Sequence, residues 1–310
     1  MSLPSLFHSN DMIKEADSMF LMQLIFAGIL LGSLYALVGI GLNLPYQVRH
    51  VIPFSQGPFL MVTVLSIIWI IGFGIPLWLG LIFGLILISV LALIQERLVI
   101  RPVVTREGSH SWVVATLGVG LVCQGFASKV WGVRAVGFPN IIFSSTDYVE
   151  VFQVRISLQM LLILFAVLAI IIIYQLTVHK TLWGKMMKAV MTDQQVAQLY
   201  GIKVNRIIII AFVISGLLAG IAGILIAPIT GVNPAFGMDL MLKGFVALII
   251  GGIGSVPGIL IGGILLGLTE LLVSGFLGTA FRNVVAFGLL IIMLSIRPYG
   301  LFGERPVGKI

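Results

Sequence analysis

The sequence predicts an all-α fold, a polytopic transmembrane helical bundle of about eight to ten spans with broken or re-entrant helices. Three observations predict it. Hydrophobic residues make up 59% of the 310 positions and charged residues only 9%, a balance no soluble globular domain tolerates on its surface. Apolar segments close to the ~20 residues needed to cross a hydrocarbon core recur along the chain. The basic residues collect in the stretches between those segments.

Taken in order, residues 1–19 are polar, with Asp11, Glu15 and Asp17 beside a lone Lys14. They are expected to form an N-terminal tail on the periplasmic side. They do not read as a cleavable signal peptide, because the apolar stretch from Phe20 to Leu44 is longer than a signal h-region. Further apolar segments lie near 54–71, 75–94, 111–131, 157–177, 207–227, 241–254, 256–275 and 283–297, nine with the first. Segment 54–71 is led in by Pro53 and Pro58, and segment 241–254 is too short for a full crossing before the turn GGIGSVPG. Both read as broken or re-entrant helices, which are tolerated only when buried in protein or lining a cavity. Residues 304–310 are expected to form a cytoplasmic C-terminal tail.

If all nine segments cross and the C-terminus lies inside, twelve of the eighteen Lys and Arg residues fall in inner loops. The positive-inside rule favours that orientation. The net charge of +7 is thereby explained by topology, and nucleic acid is excluded as a partner. The single cysteine, Cys123, lies in an apolar segment, so there is neither an intrachain disulfide nor a thiol metal site.

The largest polar island, within residues 178–206, holds Lys180, Lys185, Lys188, Lys203 and Arg206 against one carboxylate, Asp193. It reads as a cytoplasmic loop. Thr192 and Gln195 have the spacing of a capping box, and Asp193 in the first turn suits the helix dipole. Val196, Ala197, Leu199 and Tyr200 give a short helix an apolar side, and Gly201 is placed to end it. Two uses fit such a helix: lying on lipid headgroups or docking a partner.

Glycine supplies the second signal, with 36 residues, many at four-residue spacing. Gly28 and Gly32, Gly80 and Gly84, Gly216 and Gly220, Gly254, Gly258 and Gly262, and Gly263 and Gly267 each fall on one helix face, where missing side chains let helices approach.

Catalytic and metal signatures are poor: there is no HExxH, no GxSxG, and no His–carboxylate cluster, so no metal site is expected. Gly303 to Lys309 matches GxxxxGK, but Ile310 replaces the Ser or Thr and no helix follows to receive a phosphate. Ionisable residues within spans are few, and each is a functional candidate because burying charge in lipid is costly. Glu270 lies well inside 256–275, Lys129 is near the outer end of 111–131, and Asp239 and Lys243 are spaced as an i, i+4 pair. Glu270 reads either as part of a translocation path or as a residue bonded to a neighbouring helix.

Five separated blocks then carry a resemblance: GILLGSLYALVGIGLNLPYQ at 28–47, IPFSQGPFLM at 52–61, ATLGVGLVCQGFASKVWG at 115–132, LWGKMMKAVMTDQQVAQLYGIKVNRI at 182–207, and GGIGSVPGILIGGILLGLTELL with RPYGLFG within 251–303. In this order they resemble the branched-chain amino acid type of ABC importer permease, collinear over residues 20–303, which would form one permease domain. The length resembles the smaller of the two permease subunits such importers use.

The resemblance implies that the island is a coupling loop. The family pattern Glu-Ala-Ala, three residues, Gly forms a helix that enters a cleft of the ATPase; here Gln195, Val196 and Ala197 stand at the triplet and Gly201 at the glycine. Glu to Gln and Ala to Val are departures. Thr192, Asp193, Leu199 and Tyr200 complete the expected coupling surface. A second departure is at 53–59, where the family often reads Asn-Phe-Ala-His-Gly-Glu-Phe and this chain has Pro53-Phe54-Ser55-Gln56-Gly57-Pro58-Phe59. Phe54, Ser55, Gln56 and Gly57, with the Gly251–Gly252 turn, Tyr35 and Glu270, are expected to line the path. For Ser55 and Gln56, interhelical hydrogen bonding is the other reading.

Implied partners are a second homologous permease, two ABC ATPase subunits that use ATP and Mg, a periplasmic solute-binding protein and the bacterial inner membrane. This chain itself would bind no cofactor and would not be an enzyme. Hydrophobic amino acids are the leading substrate class. The contrasting reading is an ATPase-independent channel or secondary carrier for a small polar solute such as urea or an amide, against which the scarcity of buried charge argues.

Overall fold

The structure, a computed structural model, describes residues 5–104, 111–140, 147–151 and 154–303, with side chains described from residue 19 onward except 150–155. Helix α1 (Ser5–Arg49) is followed by α2 (Gln56–Gly72), α3 (Leu77–Ile94), a π-helical stretch (Gln95–Ile100), α4 (Arg101–Val104) and α5 (Ser111–Trp131). A two-stranded antiparallel hairpin, β1 (Tyr148–Val151) and β2 (Val154–Ser157), precedes α6 (Leu158–Lys180). Then come α7 (Leu182–Thr192), α8 (Gln194–Leu199), α9 (Val204–Thr230), α10 (Phe236–Gly251), α11 (Val256–Leu277), a 3₁₀ turn (Thr279–Phe281) and α12 (Arg282–Ile296).

Among the described residues, seven helical stretches are long and apolar enough to cross a membrane: Met19–Arg49, Leu77–Val104, α5, α6, α9, α11 and Thr279–Ile296. The two remaining predicted segments are the short ones, α2 with 17 residues and α10 with 16. The nine expected segments are therefore seven long helices and two short ones.

Four details go beyond the expectations. The segment read as a polar tail is helical from Ser5 and continuous with α1. The helix expected to end near residue 94 runs on through the π-helical stretch to Val104, carrying Glu96 to within 3.8 Å of Arg49 at the end of α1. The stretch 182–192 is itself a helix, its N-cap Thr181 accepting from the Gly184 N–H. The hairpin β1–β2 adds a little sheet to an otherwise helical chain.

α2 starts where proline chemistry allows. Pro53 precedes the helix and Pro58 sits in its first turn, where a missing N–H leaves no intrahelical bond unmade. His50, at φ 55°, turns the chain after α1.

At the centre α1 packs against α9, α10 and α11, with Leu34, Leu37, Phe212 and Leu248 fully enclosed. Because lipid is as apolar as these side chains, close van der Waals packing rather than exclusion from water holds the helices together. The glycine faces make it possible. A Cβ on Gly263 would lie 2.5 Å from the Gly32 carbonyl oxygen, and one on Gly267 2.3 Å from that of Gly28. Gly216 and Gly220 admit Ile88 of α3, and Gly80 and Gly84 pack on Ile67 of α2. Gly258 and Gly262 meet α10. Gly254 does not share their face: it stands in the α10–α11 turn at φ 96°, where its value is the left-handed backbone.

α8 lies at one end of the bundle, beside the end of α1, the α10–α11 turn and residues 300–303, which bond to the end of α10. The opposite end carries the α9–α10 linker, bridged to the α5–β1 connection through Val136 and Val232, and the α11–α12 turn.

Candidate functional site: a capped surface helix and a buried charge cluster

At the α8 end, the short helix forms where the sequence predicts but is capped one residue later. Asp193 has extended backbone and accepts from the N–H groups of Gln195 and Val196 at 2.8 and 3.1 Å. Thr192 is not the cap, because it completes α7 and its hydroxyl donates back to the Lys188 carbonyl. The capping box of Thr192 and Gln195 is thus replaced by an Asp cap, which satisfies the same orphan donors. Gly201 ends the helix at φ 79°, as expected.

The expected apolar side divides. Ala197 is buried against the core and Val196 is exposed, while Leu199 and Tyr200 are 87% and 83% exposed. Two large apolar groups therefore stand clear of the chain, next to a helix pinned from below. The pin is Gln194, whose amide donates to the Val48 carbonyl at the end of α1 at 2.5 Å.

At the opposite end, three helices place polar groups around one carboxylate on a fourth. Glu270 on α11 is 0% exposed. It accepts from the Tyr35 hydroxyl on α1 at 3.0 Å and from Lys243 Nζ on α10 at 2.8 Å. Arg282 Nε at the start of α12 lies 3.3 Å from the same oxygen as Lys243. Lys243 is also 3.4 Å from Asp239, the predicted i, i+4 pair, and 5.5 Å from the Tyr35 ring centroid. Burying such charges is tolerable because each faces an opposite charge. Lys243 is buried, its ammonium drawn inward by Glu270.

Beside this cluster lies a cavity of 480 Å³ walled by α1, α9, α10, α11 and α12, with Met160 of α6. Its polar groups are Tyr35, Asp239, Lys243, Arg282, Asn233 and Thr230, and the remaining wall is largely apolar.

The residues predicted to line a path fall into three places. Ser55 and Gln56 are buried at the start of α2, where Gln56 donates to the Ser215 carbonyl at 2.8 Å, and Gly57 meets Gly237 backbone to backbone. The Gln56 Oε1 and Ser55 Oγ atoms have no hydrogen-bond partner. Phe54 stacks on Trp112 and tilts against Phe245. Tyr35 and Glu270 belong to the charge cluster. Phe245 and Lys243, two residues apart on α10, project to opposite sides of that helix, so α10 separates the two groups. Gly251 and Gly252 lie about 20 Å along α10 from Gly237, packed on Gly258 and on residues 302–303. Gly252, at φ 101°, makes the corner.

Arg282 was missed by sequence reasoning. Its signal was present: a cation between two apolar segments on the side that the positive-inside rule leaves poor in basic residues. Among the described residues no group of three or more His, Cys, Asp or Glu side chains is placed to hold a metal ion.

Over residues 24–294 the chain matches the family model described as branched-chain amino acid transport system / permease component. The high-affinity branched-chain amino acid transport system permease protein LivH of Escherichia coli K12 is 31% identical over 304 residues, covering 94% of this chain and 98% of that protein. BraD of Pseudomonas aeruginosa, with the same description, is 29% identical over the same shares of the two chains. A protein of Methanocaldococcus jannaschii described as a probable branched-chain amino acid transport permease, LivH, is 29% identical over 89% of this chain and 90% of its own.

Proposed function

The chain belongs to the family of branched-chain amino acid transport permease components, and from that premise we propose that it is the smaller membrane subunit of an ATP-driven importer of branched-chain or other hydrophobic amino acids. It is a multi-pass protein of the bacterial inner membrane. In this reading the α8 end faces the cytoplasm, in keeping with the basic residues of the 178–206 loop.

The observation that carries the proposal is the exposure of Leu199 and Tyr200 at 87% and 83% on a capped, pinned helix. Asp193, Gln195, Val196, Ala197 and Gly201 set the shape of that helix, Thr192 closes the helix before it, and the two exposed side chains enter an ATPase subunit. The partner hydrolyses ATP with Mg; this chain supplies the surface through which the work is delivered. Force on α8 reaches α1 through Gln194 and Val48. Val48 and Tyr35 are about 20 Å apart along α1, so the helix that carries the pin also contributes Tyr35 to the charge cluster. A second permease and a second ATPase complete the pathway, and a periplasmic binding protein delivers solute to the end opposite α8. Phe54, Ser55, Gln56 and Gly57 on one side of α10, and Tyr35 and Glu270 on the other, contribute to the path.

The test is copurification of the chain, expressed with its genomic neighbours, with ATPase subunits. Wild type is expected to bring them down, and Leu199→Asp with Tyr200→Asp to lose them and lose uptake. Failure to recover any ATPase with wild type would return the chain to the class of autonomous channels or carriers.

A further inference from the structure

We infer that the 480 Å³ cavity between α1, α9, α10, α11 and α12 is a binding site for a zwitterionic α-amino acid with an apolar side chain, held by Arg282 and Asp239; this rests on the transport function proposed above. The volume lies within the ~300–1,000 Å³ of small-molecule sites, which are mostly apolar with a few convergent polar groups.

The charges decide what fits. Glu270 is fully enclosed and already bonded to Tyr35 and Lys243, so it is part of the frame. Arg282 and Asp239 differ from it. The Arg282 side chain is 37% exposed on the cavity wall, and its Nε lies near Glu270 without a hydrogen bond. The Asp239 side chain is 57% exposed, with Lys243 at 3.4 Å as its ion-pair partner. The cavity therefore presents a guanidinium and a carboxylate, from two different helices, each with capacity left for a ligand. A guanidinium suits a carboxylate in two-point contact, and Asp239 suits an ammonium.

A simple anion would meet Asp239, and a simple cation would meet Lys243 and Arg282; each juxtaposition is unfavourable at short range. A zwitterion satisfies both. The remaining wall, with Leu30, Leu31, Ile226, Phe236, Leu240 and Leu271, suits a branched aliphatic side chain. The site lies at the end opposite α8, where a delivered solute would enter.

The test is equilibrium binding of radiolabelled leucine to the chain in lipid nanodiscs with whatever subunits copurify, without binding protein and without ATP. Competitors are leucinamide, which lacks the carboxylate, and 4-methylpentanoate, which lacks the ammonium. Wild type is expected to bind leucine saturably and to prefer it to each analogue at least about tenfold, the worth of one charge-assisted hydrogen bond. Arg282→Gln should weaken leucine by a similar factor and erase its advantage over leucinamide. Asp239→Asn should erase the advantage over 4-methylpentanoate while leaving the preference for a carboxylate. A purely structural cluster would change yield but not this pattern of selectivity. Absence of saturable leucine binding by wild type, or analogues that compete as well as leucine, overturns the inference. So do variants with wild-type selectivity; if Arg282→Gln does not assemble, the more exposed Asp239→Asn decides alone. ATPase recovery is scored separately, so a functional complex without this selectivity refutes the cavity site and leaves the permease function standing.

Discussion

The two ends of the bundle handle polarity in opposite ways. At one end, carboxylate, ammonium, guanidinium and phenol are gathered around Glu270, each against a partner from another helix. At the other, Leu199 and Tyr200 are offered to the surroundings on a helix surrounded by basic residues. A buried charge is costly unless it is paired, and an exposed apolar group is unremarkable singly but informative on a rigid, protruding platform. The charge cluster is thus satisfied within the folded chain, whereas the large side chains of α8 are left exposed by it.

Substitutions should separate the two. Glu270→Ala leaves Lys243 and the Arg282 guanidinium facing an empty space, and removing one partner of a buried pair costs about 3–5 kcal/mol; the expected outcome is a sharp loss of folded yield in detergent size-exclusion chromatography. Tyr35→Phe removes one hydrogen bond to a charged group, worth about 1.5–3 kcal/mol, and should lower the thermal midpoint while leaving the chain folded. Asp193→Ala removes a helix cap worth about 1 kcal/mol, and should raise amide exchange over 194–200 while leaving the distant cluster unchanged. Leu199→Asp with Tyr200→Asp should alter the stability of the isolated chain by less than about 0.5 kcal/mol, while docking is lost. If Glu270→Ala were as well tolerated as the α8 double variant, the contrast between the two ends would fail.

The same contrast explains what was legible in the sequence. Apolar length and helix period exposed the spans, including the shortness of α10 and the proline-marked start of α2, because those signals are local. The glycine faces on 28 and 32 and on 263 and 267 were legible as small faces; that they pack against each other was not, since period tells which side of a helix is small and not which helix it meets. Asp239 and Lys243 were paired in advance because i, i+4 neighbours are fixed by the helix itself. Tyr35 and Arg282 could not be assigned to Glu270, as they arrive on separate helices whose arrangement is tertiary. The cap moved from Thr192 to Asp193 for a related reason. Both are good cap residues, and the helix α7, which claims Thr192, had not been foreseen. Gly254 misled because four-residue spacing continued one step past the start of α11 into a turn.

The central claim is that α8, and not the charge cluster, meets the ATPase. The chain contains a single cysteine, Cys123 on α5, so a Cys123→Ser background permits site-specific crosslinking. Leu199→Cys and, separately, Asp239→Cys in that background would be treated with a short thiol–amine crosslinker in the copurified complex. The account predicts a product between residue 199 and an ATPase subunit, and none between residue 239 and that subunit. Absence of the first product from an assembled complex, or equal yields from both positions, would contradict it.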